Sequence, residues 1–144
     1  MKYLLDTHTL IWAITNKEKL SKKVKNILES SETEIYVSAI SYWEISLKFA
    51  LGKIDLIGGD SQDLLNESLK LGFTNIPLKP EICTTFKNLT ANYHRDPFDR
   101  MLIWQSISEN YTLLTKDESI KLYKTEGLKK IGRASCRERV YHPV

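Results

Sequence analysis

Four acidic side chains in this 144-residue chain are spaced so that an α/β fold would gather them. They are Asp6 in YLLDTHTLIW, Glu44 in SAISYWEIS, Asp99 in HRDPFDRMLIW and Asp117 in LLTKDES. Asp6 and Asp117 end or follow apolar, strand-like runs, whereas Glu44 and Asp99 fall in the first turn of expected helices. If these elements alternate as parallel β-α units, all four carboxylates line one edge of the sheet. Two carboxylates about 4 Å apart repel by roughly 4 kcal/mol at an effective dielectric of about 20, more than a helix cap returns. Four together stay charged only around a cation. An all-oxygen set without Cys or His selects a hard ion, Mg²⁺ or Mn²⁺, and the chemistry expected of it is hydrolysis of phosphodiesters.

Each acid also has a plain structural explanation. Ser41-Tyr-Trp-Glu44 reads as a capping box, and Glu44 can equally pair with Lys48 one turn on. Asp96-Pro-Phe-Asp99 reads as an N-cap followed by a favourable first-turn acid. Asp117 could cap a helix after the fourth strand. Asp6 is harder to explain in this way, because it lies between two apolar runs and a shielded, unpaired carboxylate is costly. Thr7 and Thr115 are candidates to orient ligands or water, with a simple turn role as the alternative. His8 lacks metal-ligand spacing and is expected to pack or cap, while His94 is a candidate to face substrate. Arg95, Arg100, Lys116 and Lys48 collect near the same edge, as phosphate contacts or as a solvated face. Trp12, Trp43 and Trp104 are expected in the core or at an interface.

The elements that must position these groups follow from periodicity and punctuation. KYLL is a short buried strand ending at Asp6, and HTLIWAI is a helix reaching Asn16. Ser21 caps a helix whose apolar face is Leu20, Val24, Ile27 and Leu28. EIYVSAI is the second strand, and Ser41 is expected to open a helix ending near Gly52. Asp60 caps an amphipathic helix, FTNIPL is the third strand, and a short helix covers about 81–89. Pro97 stands at a first helical position, YTLLT is the fourth strand, and LKK begins a possible fifth. The expected fold class is α/β: three α/β/α layers around a mostly parallel sheet of four to five strands.

Composition fits one soluble domain, with 42% hydrophobic and 27% charged residues. No apolar run approaches the roughly 20 residues needed to span a bilayer, so no membrane role is expected. Asp6 interrupts the first apolar stretch and no cleavage site follows, which favours a cytoplasmic location over a signal peptide. The last stretch stands apart. Ile131 to Val140, IGRASCRERV, resembles the translation of a sequencing adapter, so residues 1–131 read as the domain and 132–144 as a non-native tail. Setting 132–144 aside removes three arginines and one glutamate, leaving 18 Lys and Arg against 17 Asp and Glu. Any hold on nucleic acid must then come from a local patch. Cys83 is the one cysteine left, which excludes a disulfide framework or a thiolate metal site.

Four motifs in order, LLDTHTLIW, SAISYWEIS, HRDPFDRMLIWQ and LLTKD, resemble those of PIN-domain ribonucleases of the VapC toxin type, over about residues 1–130. The first and third are specific; the second and fourth are weak alone. The resemblance implies that Asp6, Glu44, Asp99 and Asp117 are the catalytic, metal-holding quartet, with Asp96 an extra acid of the DPFD form. It implies a Mg²⁺-dependent endoribonuclease whose products carry a 5′-phosphate and a 3′-hydroxyl. It also implies a homodimer neutralised by a cognate antitoxin, with Ile45, Phe49 and Leu51 offered to that partner. Trp104 stands where many relatives have a small residue, with consequences for helix packing or dimer contacts.

Other readings make separate demands. A phosphatase with an aspartyl nucleophile would want a second Asp two residues after Asp6, where this chain has His8. A receiver-type signalling module would need an acidic pair near the first strand; Lys116 suits it loosely, but the pair is missing. A DNA-directed nuclease of the same fold stays open, since nothing in the sequence reads a 2′-hydroxyl. A non-catalytic RNA-binding protein would have little reason to keep four unpaired acids.

Overall fold

The computed structural model describes residues 1–90, 96–115, 128–132 and 139–143. Six strands, β1 (Lys2–Leu5), β2 (Glu34–Ser38), β3 (Thr74–Ile76), β4 (Thr112–Thr115), β5 (Leu128–Gly132) and β6 (Arg139–Pro143), form one sheet in the order β3-β2-β1-β4-β6-β5. The first four are mutually parallel, as the alternation of strands and helices requires. β6 pairs antiparallel with β4, and β5 pairs antiparallel with β6. The four parallel strands match expectation. β5 begins at the LKK read as a possible fifth strand, and β6 exceeds expectation: the backbone of 139–143 lies directly beside β4 although it belongs to the stretch set apart by composition.

Helices α1 (Thr7–Thr15), α2 (Lys22–Glu29) and α4 (Ser61–Lys70) cover one face of the sheet, and α5 (Pro80–Thr85) and α6 (Pro97–Glu109) cover the other. Strand alternation divides the core accordingly. Leu5, Val37 and Leu114 point to Leu10, Val24 and Leu64, while Leu4 and Leu113 point to Leu102 and Ile103. Each such leucine or isoleucine, fully buried, stabilises the fold by about 1.5–3 kcal/mol relative to exposure. Helix α3 (Ala39–Ala50) reaches both sides, with Ile40 in the second cluster and Ile45 in the first.

Short polar side chains fix where the helices begin. Ser21 accepts from the Val24 amide at 3.1 Å, as expected of an N-cap. Asp60 and Asp63 exchange bonds with each other's amides at 3.0 and 2.9 Å, forming a complete capping box. Asp96 caps α6 through the Phe98 amide at 2.8 Å, with Pro97 behind it and Asn110 closing the other end in the left-handed region at φ 62°. One boundary differs from the sequence reading. Ser38, the last residue of β2, caps α3 through the Ile40 amide at 3.2 Å, so the helix opens three residues before Ser41. Ser41 is therefore buried inside the helix, and Glu44 lies beyond its first turn and forms no capping box. Among the described residues no helix is long and apolar enough to cross a membrane.

A candidate acidic site at the carboxyl edge of the sheet

The parallel order β2-β1-β4 creates a switch point: the chain leaves β1 to form β2 on one side and returns as β4 on the other. Crevices for ligands open there, beyond the carboxyl ends of the strands. Asp6 stands at this point, its amide donating to the Leu114 carbonyl at 3.0 Å. Its carboxylate is divided between two tasks. Oδ1 accepts from the Thr9 amide at 2.8 Å and so caps α1; Oδ2 accepts from the Thr115 hydroxyl at 2.5 Å. The two strand ends on either side of the switch are thus joined through Asp6 and Thr115.

The next residue carries the second link. Thr7 is buried and its hydroxyl donates to Glu44 Oε1 at 2.6 Å, with Ser41 Oγ a further acceptor at 3.2 Å. Glu44 is only 2% exposed, and its other oxygen, Oε2, is in contact with the Lys48 ammonium one turn along α3. Lys48 also lies 4.0 Å from Asp96 Oδ2. Burial alone would lower the pKa of Lys48. The hydrogen bond to Glu44 and the charges of Glu44, Asp96 and Asp99 outweigh that and hold its ammonium above the usual lysine value. Asp99, half-buried in the first turn of α6, therefore acts on the same lysine as Glu44 and Asp96.

Of the expected acids, the structure brings Asp6 into the Thr7–Thr115 neighbourhood, and sets Glu44, Asp96 and Asp99 about Lys48. Asp117, Lys116, Arg95 and His94 lie outside the described residues. Among the described residues, no three acids, histidines or cysteines converge closely enough to form a metal-binding group. Arg100 is engaged within the fold: it donates to the Leu89 carbonyl at 2.9 Å and lies 4.9 Å from the Phe86 ring centroid. Trp104 donates to the Ile82 carbonyl at 3.1 Å and the Thr85 hydroxyl at 3.2 Å, tying α6 to α5. His8 is exposed and packs edge-on against Trp12.

One residue offered to a partner is placed elsewhere, and one tryptophan expected in the core or at an interface is not in the core. Ile45 is fully buried and not available to a partner, because it faces Leu5 and Leu64 in the core. Trp43, by contrast, is 62% exposed against the edge of Phe98, with Leu47 and Leu51 following at successive turns. An i, i+4, i+8 run of apolar residues was available as the signal for this stripe. The central position of Lys48 among three acids was not legible, since two of them arrive from α6.

A sheet with the parallel order 3-2-1-4 and Asp6 at its switch point defines an α/β protein with a polar site at the strand ends. The family model described as PIN domain matches residues 3–126, and the chain belongs to the PIN-domain family. It is 26% identical over 124 residues to Ribonuclease VapC22 of Mycobacterium tuberculosis (strain ATCC 25618 / H37Rv), covering 84% of this chain and 91% of that protein. In fold it is similar to a chain in the crystal structure of VapBC2 from Rickettsia felis bound to a DNA fragment from their promoter. That match has a TM-score of 0.62 at 22% identity and covers 87% of this chain and 92% of the other. The VapC-type PIN resemblance drawn from the four motifs is borne out.

Proposed function

We propose that this chain is a divalent-metal-dependent endoribonuclease, the toxin member of a toxin–antitoxin pair, hydrolysing RNA phosphodiesters at Asp6, Glu44, Asp99 and Asp117. It would act in the cytoplasm as a homodimer. The observation that carries the reading is the pair of threonine links, Thr115 to Asp6 and Thr7 to Glu44, which fix two carboxylates at the switch point of a PIN-domain sheet. Its likeness to a ribonuclease over most of its length supports the same reaction.

The donor set fits a hard divalent ion. Asp6, Glu44 and Asp99 offer only oxygen, and the positive charge that a glutamate 2% exposed needs comes from Lys48 until an ion takes its place. Asp6 and Asp99 would hold the ion, with Glu44 and Asp117 completing the site and Asp96 in reserve. Mg²⁺ is the expected ion and Mn²⁺ an effective substitute. When bound, the ion offsets charge on the phosphate and makes water a nucleophile near neutral pH.

The chain's own residues prepare that chemistry. Thr115 and the Thr9 amide hold both oxygens of Asp6, so its carboxylate does not rotate. Thr7 does the same for Oε1 of Glu44 from within the core. Arg95, Lys116 and His94 are the proposed contacts to RNA phosphate, whereas Arg100 has a packing task that competes with such a role. The antitoxin would cover the acidic groove and the exposed stripe of Trp43, Leu47 and Leu51 beside it. Total RNA incubated with the pure protein should be cut in Mg²⁺, and left intact in EDTA or by Asp6→Asn and Asp99→Asn variants. Cleavage that persists in EDTA or in Asp6→Asn refutes the assignment.

A further inference from the structure

We infer that Lys48 is the tethered counter-ion of this site: its ammonium neutralises the acids in the absence of a divalent ion, and an incoming ion must displace it. This rests on the metal-dependent reading above. An ordinary i, i+4 pair joins two solvated side chains and contributes a few tenths of a kcal/mol. The Glu44–Lys48 pair is different, because one partner is 2% exposed and the other is drawn toward acids from a second helix. The oxygens at issue are specific. Thr7 occupies Oε1 of Glu44, which leaves Oε2 as the side directed to an ion, and Lys48 covers Oε2. Asp96 gives Oδ1 to the Phe98 amide and turns Oδ2 toward the same ammonium at 4.0 Å. Asp99 adds its field from the first turn of α6.

The lysine therefore sits where a cation is demanded, on a stem long enough to withdraw. Its side chain is 29% exposed, so a path to solvent exists. Lys48 is a positioning residue in this account: it sets the conformation of Glu44 and the threshold concentration at which an ion enters. No proton need be lost, since displacement moves a charged ammonium into water.

The test is calorimetric titration of Mn²⁺ into the full chain, comparing wild type with Lys48→Met, Lys48→Gln and Lys48→Arg, and with Asp6→Asn as the site control. Lys48→Met should bind Mn²⁺ about tenfold or more tightly, since the ion no longer breaks a charge-assisted hydrogen bond. Lys48→Arg should stay within about threefold of wild type, because the competing charge is kept. Lys48→Gln, whose amide retains a donor, supplies the neutral variant if circular dichroism shows that the methionine protein does not fold. Equal or weaker Mn²⁺ binding by the neutral variants, with Asp6→Asn still abolishing it, overturns the role of Lys48 and leaves the metal reading standing. If neither wild type nor the neutral variants bind Mn²⁺, both are overturned.

Discussion

Thr7→Val is the most informative single substitution, because it preserves shape and deletes one donor from a buried carboxylate. Thr7 is 5% exposed, its hydroxyl lies 2.6 Å from Glu44 Oε1, and Glu44 is 2% exposed, so the substitution leaves a mostly buried carboxylate with one donor fewer. A hydrogen bond to a charged group is worth about 1.5–3 kcal/mol, and the cost should fall at that level. In urea, with a slope of about 1–3 kcal/mol/M for a domain of this size, the midpoint should drop by about 1 M. The measurement is made in EDTA, so that no ion compensates, and is repeated in a Glu44→Gln background. There the acceptor is neutral, Thr7→Val should cost only about 1 kcal/mol, and the cycle should show about 1 kcal/mol of coupling. A loss within about 0.5 kcal/mol of wild type, the size of an ordinary surface change, refutes the claim that Thr7 supports a buried anion. So does an equal loss in both backgrounds.

Thr115→Val removes the donor to Asp6 Oδ2 while leaving the Thr9 cap in place; RNA cleavage should fall about 10- to 100-fold with retained folding, read by initial rates and circular dichroism. Tyr42 donates to Asn75 Oδ1 at 2.7 Å and lies 2.6 Å from Ser68 Oγ, so Tyr42→Phe should cost about 1–2 kcal/mol in urea unfolding at pH 7. Burial raises the Tyr42 pKa from 10.0 despite the opposing Ser68 and Asn75 bonds. The neutral phenol is thus favoured when folded, its contribution is complete below pH 10 and lost above it, and the gap between wild type and Tyr42→Phe should narrow as pH rises past 10. Trp43→Ser should change the unfolding free energy by under about 1 kcal/mol yet weaken copurification with the proposed antitoxin, because this indole is 62% exposed.

Much of this fold was legible because local signals agreed with one another. Leu4, Leu5, Leu113 and Leu114 lie in short apolar strands, and each pair splits between the two faces as period-2 geometry demands. Asp60, Ser21 and Asp96 each precede a helical pattern and each caps it. Where the reading failed, two local signals competed. Ser38 and Ser41 are both acceptable caps, and the strand ending at Ser38 decided between them by delivering the chain straight into α3. Ile45 and Trp43 differ by two positions on one helix, and only the tertiary packing of α3 against both core clusters says which is buried. β6 could not be read, since its pairing with β4 is made by backbone and its composition carries no alternation. In the site, the threonine partners of Asp6 and Glu44 adjoin or face them in sequence motifs. The lysine between α3 and α6 depends on a crossing angle that sequence does not specify.

The proposed site receives a divalent ion, and anomalous diffraction from crystals soaked in Mn²⁺ would locate it. A peak bounded by Asp6 and Asp99, with the Lys48 ammonium withdrawn from Glu44, is the predicted result. A peak elsewhere, or none while Lys48 still rests on Glu44, would contradict the account.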